Sequence, residues 1–301
     1  MKSARIQCSW VPADFSHTLR SRHTRKPKPI SIHGTPYSLF WNAEKDTPAI
    51  VHDTCHHRGA SLANGGIVEG DCVKCKYHGH KTRSLYHKNI VDHNGIIWLN
   101  DSFDGLNDLP HAWEFDDAKQ RVFTYQRPFE GCNPLLLVEN TIDWSHLDHV
   151  HLFHVVEGNP TVKVHRTGPN GMASYTYNTK ISGLTITVEN EYWGPWDTCL
   201  RFKFNDTQSF TLFFSVRPNS RNDATLYVRV SRQDYTWTGP FGDFVLMMAN
   251  ELPLWEDREV VRKVDATRWA ANKLTRDDSF LKAYRANLEE NHPQLVSLYF
   301  G

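Results

Sequence analysis

Two groups of residues carry the chemistry of this 301-residue chain. In the first, Cys55 and His57 form C-x-H, and Cys75 and His78 form C-x-x-H, with residues 58–74 between them. Residues 55–81 hold three cysteines and four histidines in all. Two thiolates and two imidazoles on neighbouring loops suit either a tetrahedral zinc ion or a [2Fe-2S] cluster with sulfur on one iron and nitrogen on the other. The ligand order favours the cluster, because each loop supplies one sulfur and one nitrogen, whereas a zinc finger more often runs Cys-Cys and then His-His. Gly59, Gly65, Gly66 and Gly79 allow tight turns that aim backbone N–H groups at sulfur. Cys72 also makes a C-x-x-C with Cys75, so a zinc site on Cys55, Cys72, Cys75 and a histidine is the competing reading. His56 points away from the His57 side if this backbone is extended.

The second group lies in "LVENTIDWSHLDHVHLFH", where Asp143, His146 and His151 stand as D-x-x-H-x4-H, with Asn140 three residues before Asp143. Five positions on an ideal helix turn through about 140°. His146 and His151 can therefore share one site only if the helix bulges or ends between them. His146 with His149, and His151 with His154, compete as pairs at i,i+3 spacing. A histidine-rich polar helix face without metal is the plain alternative.

These residues need elements to hold them. Residues 1–105 contain short β-type runs ("PISIHG", "YSLFWN", "AIVHD", "GIIWLND") punctuated by Gly and Asn, which predicts an antiparallel β domain. "DSFDGLNDLP" is the expected boundary, and residues 106–301 form a second domain. There "PLLLVENTIDWSHLDHVH" begins apolar and then turns helical. Residues 172–233 alternate as in a meander of long antiparallel strands, and from Phe241 the periodicity becomes helical, through "FGDFVLMMANELPLWEDREVVRKVD" and "DDSFLKAYRANLEENHP". The expected class is α+β.

The wording "CHHRGASL" with "CKYHGH" resembles the Rieske family. Respiratory Rieske proteins carry an extra cysteine in each loop, and here Ala60 and Tyr77 stand at those positions, so the resemblance is to Rieske ferredoxins and Rieske oxygenases. His80 stands where the family more usually has Trp. A ferredoxin would end near residue 105, and the D-x-x-H-x4-H pattern beyond it resembles the mononuclear iron site of Rieske non-haem iron oxygenases. The resemblance implies a Rieske cluster on Cys55, His57, Cys75 and His78. It implies ferrous iron on His146, His151 and a later carboxylate, with O2 as co-substrate. Asp257 in "ELPLWEDREVV" is the expected third ligand and Glu256 its near alternative, with Asp243 and Asp265 behind them. Solvated charge at a helix N-terminus is the other reading of Glu256 and Asp257. Asp143 would bridge to a cluster histidine of a neighbouring subunit, and Asn140 would support the iron site from behind.

Further implications follow from the same resemblance. The first domain would be all-β and the second a helix-grip (START-like) fold, a curved antiparallel sheet around a long helix. The activity would be hydroxylation, demethylation or dihydroxylation of a small apolar or aromatic molecule. The chain has no G-x-G-x-x-G after a strand, so electrons would come from a separate reductase, with or without a ferredoxin. A head-to-tail homotrimer would bring cluster and iron together. The chain is short for such an enzyme, and the stretch from His80 to Val91 is short and basic. An electron-transfer protein without oxygenase chemistry is the alternative, followed by a zinc-stabilised binding module.

Composition bounds the rest. The 34 basic and 34 acidic residues balance, which gives no general pull towards nucleic acid or anionic membrane. The run "RSRHTRKPKP" reads as a solvated loop. No apolar stretch reaches the ~20 residues of a membrane helix, and "MKSARIQCSWVPADF" has no apolar signal core. Six cysteines are too sparse for a disulfide scaffold, so a cytoplasmic protein is expected. Of the strand aromatics Trp193, Trp196, Phe202, Phe204 and Phe213, most should be core and some should face a pocket, with alternation alone unable to say which.

Overall fold

The computed structural model describes residues 10–21, 25–85, 89–100, 120–151, 156–180, 183–233, 239–275 and 278–301. The chain separates into two units, Met1–Trp113 with Arg217–Arg221, and Glu114–Val216 with Asn222–Gly301. The boundary expected in "DSFDGLNDLP" lies outside the described residues, as does His154.

The first unit holds β1 (Trp10–Phe15), α1 (Ser16–Arg20), β2 (Lys28–Ile32), β3 (Thr35–Asn42) and β4 (Thr47–His52). It continues with β5 (Ile67–Glu69), β6 (Cys72–Lys74), β7 (Lys81–Arg83), β8 (Ile90–His93) and β9 (Ile96–Asn100). They make three three-stranded sheets, β1-β9-β8, β2-β3-β4 and β5-β6-β7. The β-type runs read from the sequence supply β2, β3, β4 and β9, while the three-residue strands β5 to β7 are too short to announce themselves. Phe40, Ala49, Val51, Leu62 and Val73 pack with Cys55 and Cys75 in one buried cluster. Both cysteine loops are therefore anchored in the core of this unit.

The second unit is built on a seven-stranded sheet. Its strands are β10 (Gln120–Glu130), β11 (Val156–Arg166), β12 (Asn170–Thr179), β13 (Thr185–Trp193), β14 (Asp197–Phe204), β15 (Thr207–Ser220) and β16 (Asp223–Gln233). The order is β10-β16-β15-β14-β13-β12-β11, so β11 to β16 form a meander and β10 closes against the last strand. Strand β12 alternates buried and exposed residues along most of its length, with Ala173, Tyr175 and Tyr177 turned inward, which is the period-2 signature of a sheet covered on one face.

Helices cover this sheet: α2 (Pro134–Ile142), α3 (Leu147–Val150), α4 (Gly239–Val261), α5 (Ser279–Asn291) and α6 (Pro293–Phe300). A 3-10 helix, Ala266–Ala271, precedes α5. The apolar "PLLLVENTI" is itself helix α2, earlier than its expected helical start. Asn133 caps it by accepting from the N–H groups of Leu135 and Leu136, and Pro134 fits the first turn, which needs no proline N–H. Inside this unit Glu139 of α2 accepts a two-pronged contact from Arg285 of α5, at 2.8 Å from Nε and 2.7 Å from Nη2. The Trp269 indole donates to the same carboxylate at 2.6 Å. No described helix is long and apolar enough to cross a membrane.

Candidate metal centres

The two cysteine loops of the first unit share one backbone plan. Cys55 N–H donates to Ala60 O and Gly59 N–H to Cys55 O, while Cys75 N–H donates to His80 O and Gly79 N–H to Cys75 O. Each loop closes through a glycine four residues after its cysteine, and both glycines are left-handed, Gly59 at φ 72° and Gly79 at φ 75°. An L side chain there would be strained. A Cβ on Gly66 would stand 2.2 Å from Leu62 O and 2.7 Å from a Val73 methyl, so the packing of the loops requires that glycine too.

Cys55 and Cys75 are each 3% exposed, whereas His57 and His78 face solvent with ring centroids 4.7 Å apart. The Cys75 thiol sits below its ordinary pKa because the Tyr77 backbone N–H hydrogen-bonds it, against the opposing effect of burial, with the Cys55 thiol also within reach. A lowered thiol pKa favours the thiolate, the form of cysteine that binds metal. The four side chains do not gather around one point. Among the described residues, only His146, His151 and Asp257 bring three donor atoms within 4.8 Å of one another. A binuclear cluster fits such an arrangement, since its sulfur and nitrogen ligands sit on different irons.

Cys72 lies on β6 with its Sγ 3.3 Å from Asp71 Oδ1, and burial followed by that carboxylate pushes its thiol pKa up, which disfavours the thiolate that zinc would need. The backbone at His56 turns instead of running extended, so strand alternation does not govern that ring. His56 meets His80 edge-on at 5.7 Å, and His80 stacks on His57 at 4.2 Å.

In the second unit the histidine pair meets through the helix end that its spacing demands. Helix α2 stops at Asp143, whose backbone is extended, and α3 is a single turn with His146 at its N-cap and His151 at its C-cap. The Asp143 Oδ1 accepts from the Ser145 N–H at 2.8 Å and the Ser145 hydroxyl at 2.7 Å, which holds the reversal between the helices. His146 Nε2 and His151 Nε2 then face one atom, Asp257 Oδ1, at 3.5 Å and 3.6 Å. Metal bonds of about 2.1 Å at angles of about 90–120° hold ligand atoms roughly 3.0–3.6 Å apart, so this spacing suits one ion.

Burial pushes the His146 pKa down, opposed by Asp257 and Asp143, so the imidazole stays neutral, which is its ligating form. Burial raises the Asp257 pKa despite His146 and His151 nearby, and the Asn140 side chain opposes that rise by hydrogen bonding. Asp257 Oδ1 and His146 Nδ1 are buried and meet no hydrogen-bond partner among the described residues. A cation among these atoms would relieve that unpaired acceptor. The residues present thus fit a mononuclear metal.

The carboxylate alternatives separate cleanly. Glu256 Oε2 lies 2.9 Å from His151 Nδ1, behind the ring rather than at its Nε2. Asp243 is engaged by Arg121 and Arg232, and Asp265 caps the 3-10 helix through Thr267. His149 is exposed on α3. Asp143 faces His146 Nδ1 at the longer distance of 3.9 Å.

The triad opens onto a chamber of about 290 Å³. Its walls include Trp144, Tyr175, Val188, Leu200, Phe202, Phe210, Leu212, Phe214 and Leu254. Phe202 and Phe210 stack at 4.4 Å. Trp193, Trp196 and Phe213 are core, and Phe204 is half-buried beside Phe210. Asn190 also lines the chamber and was invisible as a site residue in the sequence. Its one signal is a polar residue two positions after the inward Val188, and alternation cannot tell which face is inward.

Comparison with known proteins bears on the first of these regions and on the fold of the whole. Residues 9–84 match the Rieske [2Fe-2S] domain. Chlorophyllide a oxygenase of Chlamydomonas reinhardtii is 40% identical over 74 residues, 23% of this chain and 10% of that protein. The oxygenase component of dicamba O-demethylase from Stenotrophomonas maltophilia is 26% identical over 170 residues, 48% of each chain. The chain thus spans half or less of the length of these curated relatives. The fold as a whole matches the Pseudomonas putida CBB5 NdmA QL mutant solved with caffeine, with TM-score 0.75 and 19% identity, over 97% of this chain and 94% of that one. That likeness is one of fold.

Proposed function

We propose that this chain is the oxygenase component of a Rieske non-haem iron system. Its activity is mono- or dioxygenation of a small apolar or aromatic molecule, by hydroxylation, demethylation or dihydroxylation. The observation that carries this reading is the shared chamber: His146, His151 and Asp257 open onto the same apolar space. An electron carrier has no need of a ligand-sized cavity beside a second metal centre.

In this reading residues 1–105 form the Rieske domain and residues 106–301 the catalytic domain. Cys55, His57, Cys75 and His78 hold the cluster, and His146, His151 and Asp257 hold ferrous iron. Together these groups supply one-electron transfer and the reductive activation of O2 beside a substrate carbon. Glu256 accepts the His151 Nδ1–H, which fixes the tautomer and leaves Nε2 facing the chamber. Asn140 steadies the Asp257 carboxylate in its ionised form. Asp143, held by Ser145, presents its other oxygen to His146 Nδ1 and links outward to a cluster histidine of a neighbouring copy in a homotrimer. The aromatic and aliphatic walls exclude water and orient a flat ligand. A separate reductase, with or without a ferredoxin, supplies the electrons. The five described cysteines are all free, which suits a reducing cytoplasm.

The test is iron, zinc and acid-labile sulfide per chain on anaerobically purified protein, with an electron paramagnetic resonance spectrum after reduction. About three irons and two sulfides per chain, with a Rieske-type signal, are expected. About two irons and two sulfides that resist added ferrous ion would point to an electron carrier. Zinc without sulfide would overturn both metal assignments.

A further inference from the structure

We infer that the chamber takes a neutral ligand bearing an N–H or O–H donor, and that Asn190 Oδ1 receives it. This rests on the proposed function, which puts the substrate in the chamber. Asn190 lies on β13 among inward residues, with Val188 on the same face and Leu200 opposite it on β14. It is 3% exposed. Its Nδ2 donates to Thr141 O at 3.0 Å. A carbonyl can only accept, so this bond decides which end of the amide is which. The amide nitrogen end is thereby committed to Thr141 O, and Oδ1 is buried without a hydrogen-bond partner among the described residues.

Outside the His146, His151 and Asp257 triad, whose open acceptor faces the metal position, the Thr141 hydroxyl and the Asn250 amide nitrogen are engaged within the protein. Thr141 Oγ1 donates to Val138 O and meets Thr198 Oγ1, and Asn250 Nδ2 donates to the Tyr125 hydroxyl. No lysine or arginine is among the lining residues, whose acidic and imidazole groups are Asp143, Asp257, His146 and His151. A carboxylate ligand would lose its hydration and meet no cationic side chain on these walls. A neutral planar molecule loses little on entering an apolar site, and a single N–H or O–H pairs with the open Asn190 acceptor. The chamber of about 290 Å³ sits at the small end of ligand sites, which suits one or two rings.

Three probes separate the possibilities: indole, neutral with an N–H; 1-methylindole, neutral without one; and indole-3-carboxylate, an anion. Each is titrated calorimetrically into anaerobic, iron-replete protein at neutral pH, and into Asn190→Leu, whose melting temperature is measured alongside. Indole should bind about tenfold tighter than 1-methylindole, the size of effect expected for one buried hydrogen bond. Indole-3-carboxylate should bind more weakly than indole. In Asn190→Leu the two neutral probes should come within about twofold of each other.

Equal affinities for the two neutral probes in the wild type would overturn the inference, as would tightest binding of the anion or no binding of any probe. An unchanged ratio in a well-folded Asn190→Leu would overturn the role of Asn190. If that variant does not fold, the wild-type series still decides the ligand class. Turnover does not enter the titration, so a chain that binds as expected but lacks the third iron sinks the proposed function alone.

Discussion

His151 is gripped on both edges by two consecutive residues of one helix: Glu256 Oε2 stands 2.9 Å from Nδ1, and Asp257 Oδ1 stands 3.6 Å from Nε2. Neighbours on a helix point about 100° apart, so Glu256 and Asp257 can flank one ring but cannot exchange roles. In the proposed site the same residue pair would divide into a ligand and the group that orients a ligand.

That division is testable by metal content. Asp257→Ala should lose the mononuclear iron, leaving about two irons per chain with the cluster spectrum unchanged. Glu256→Gln should keep the site but bind ferrous ion about 10–100-fold more weakly, the usual effect of removing a partner that orients a metal ligand. Iron titration followed by desalting measures both. The opposite pattern, with Glu256→Gln stripping the iron and Asp257→Ala keeping it, would reverse the assignment.

Asp143→Asn should retain all iron and sulfide while steady-state turnover falls by about 10²-fold or more, because an amide cannot replace the carboxylate that faces His146. Single-turnover assays on pre-reduced protein locate the defect in electron delivery. Loss of iron in this variant would show that Asp143 holds the metal site itself.

Arg285→Ala should destabilise the second unit by about 3–5 kcal/mol, since it strands the buried Glu139 carboxylate without its two-pronged partner. Chemical denaturation measures this. The double variant Arg285→Leu with Glu139→Leu should recover much of the loss, because an apolar pair leaves no buried charge behind. A loss below about 1 kcal/mol in Arg285→Ala would mean that the contact is no stronger than a surface ion pair.

Asp243 gives a pH dependence with a definite sign. Burial works to raise its pKa, but hydrogen bonds from Arg121 and Arg232 outweigh this and hold it below its ordinary 3.8. The unfolded chain therefore binds the proton first as pH falls. The stability from this group is present above about pH 4 and is lost as pH drops through the depressed folded value. Urea denaturation at a series of pH values should show the wild type more stable than Asp243→Asn near neutrality, with the gap closing in acid. A gap that stays constant down to about pH 2 would remove the carboxylate from that limb of the curve.

Much of this protein is legible in its residues because the relevant spacings are short. Cys55, His57, Cys75 and His78 sit on two local loops, each closed by a glycine four residues after its cysteine, and left-handed backbone marks such glycines. The five-residue gap between His146 and His151 required the helix to break, and α2 does end at Asp143. Strands β12 to β16 follow from alternation over long runs. Strands β10 and β11 were not read, because their residues mix polar and apolar types without a clean period, and β5 to β7 are only three residues each. Helix α6 hides directly behind Pro293, a residue that reads equally as a stop or as a first turn.

The sequence by itself determined the ligand types, their local spacing and the need for an interrupted helix, since these depend on backbone geometry within a few residues. Tertiary structure alone decided which distant carboxylate faces the histidines. Asp257, Glu256, Asp243 and Asp265 are equivalent acids along the chain and are distinguished only by what α4 and the residues after it pack against. It also decided that Asn190 lines an apolar chamber, because the inward face of a strand is set by the sheet and helices around it and not by its own alternation.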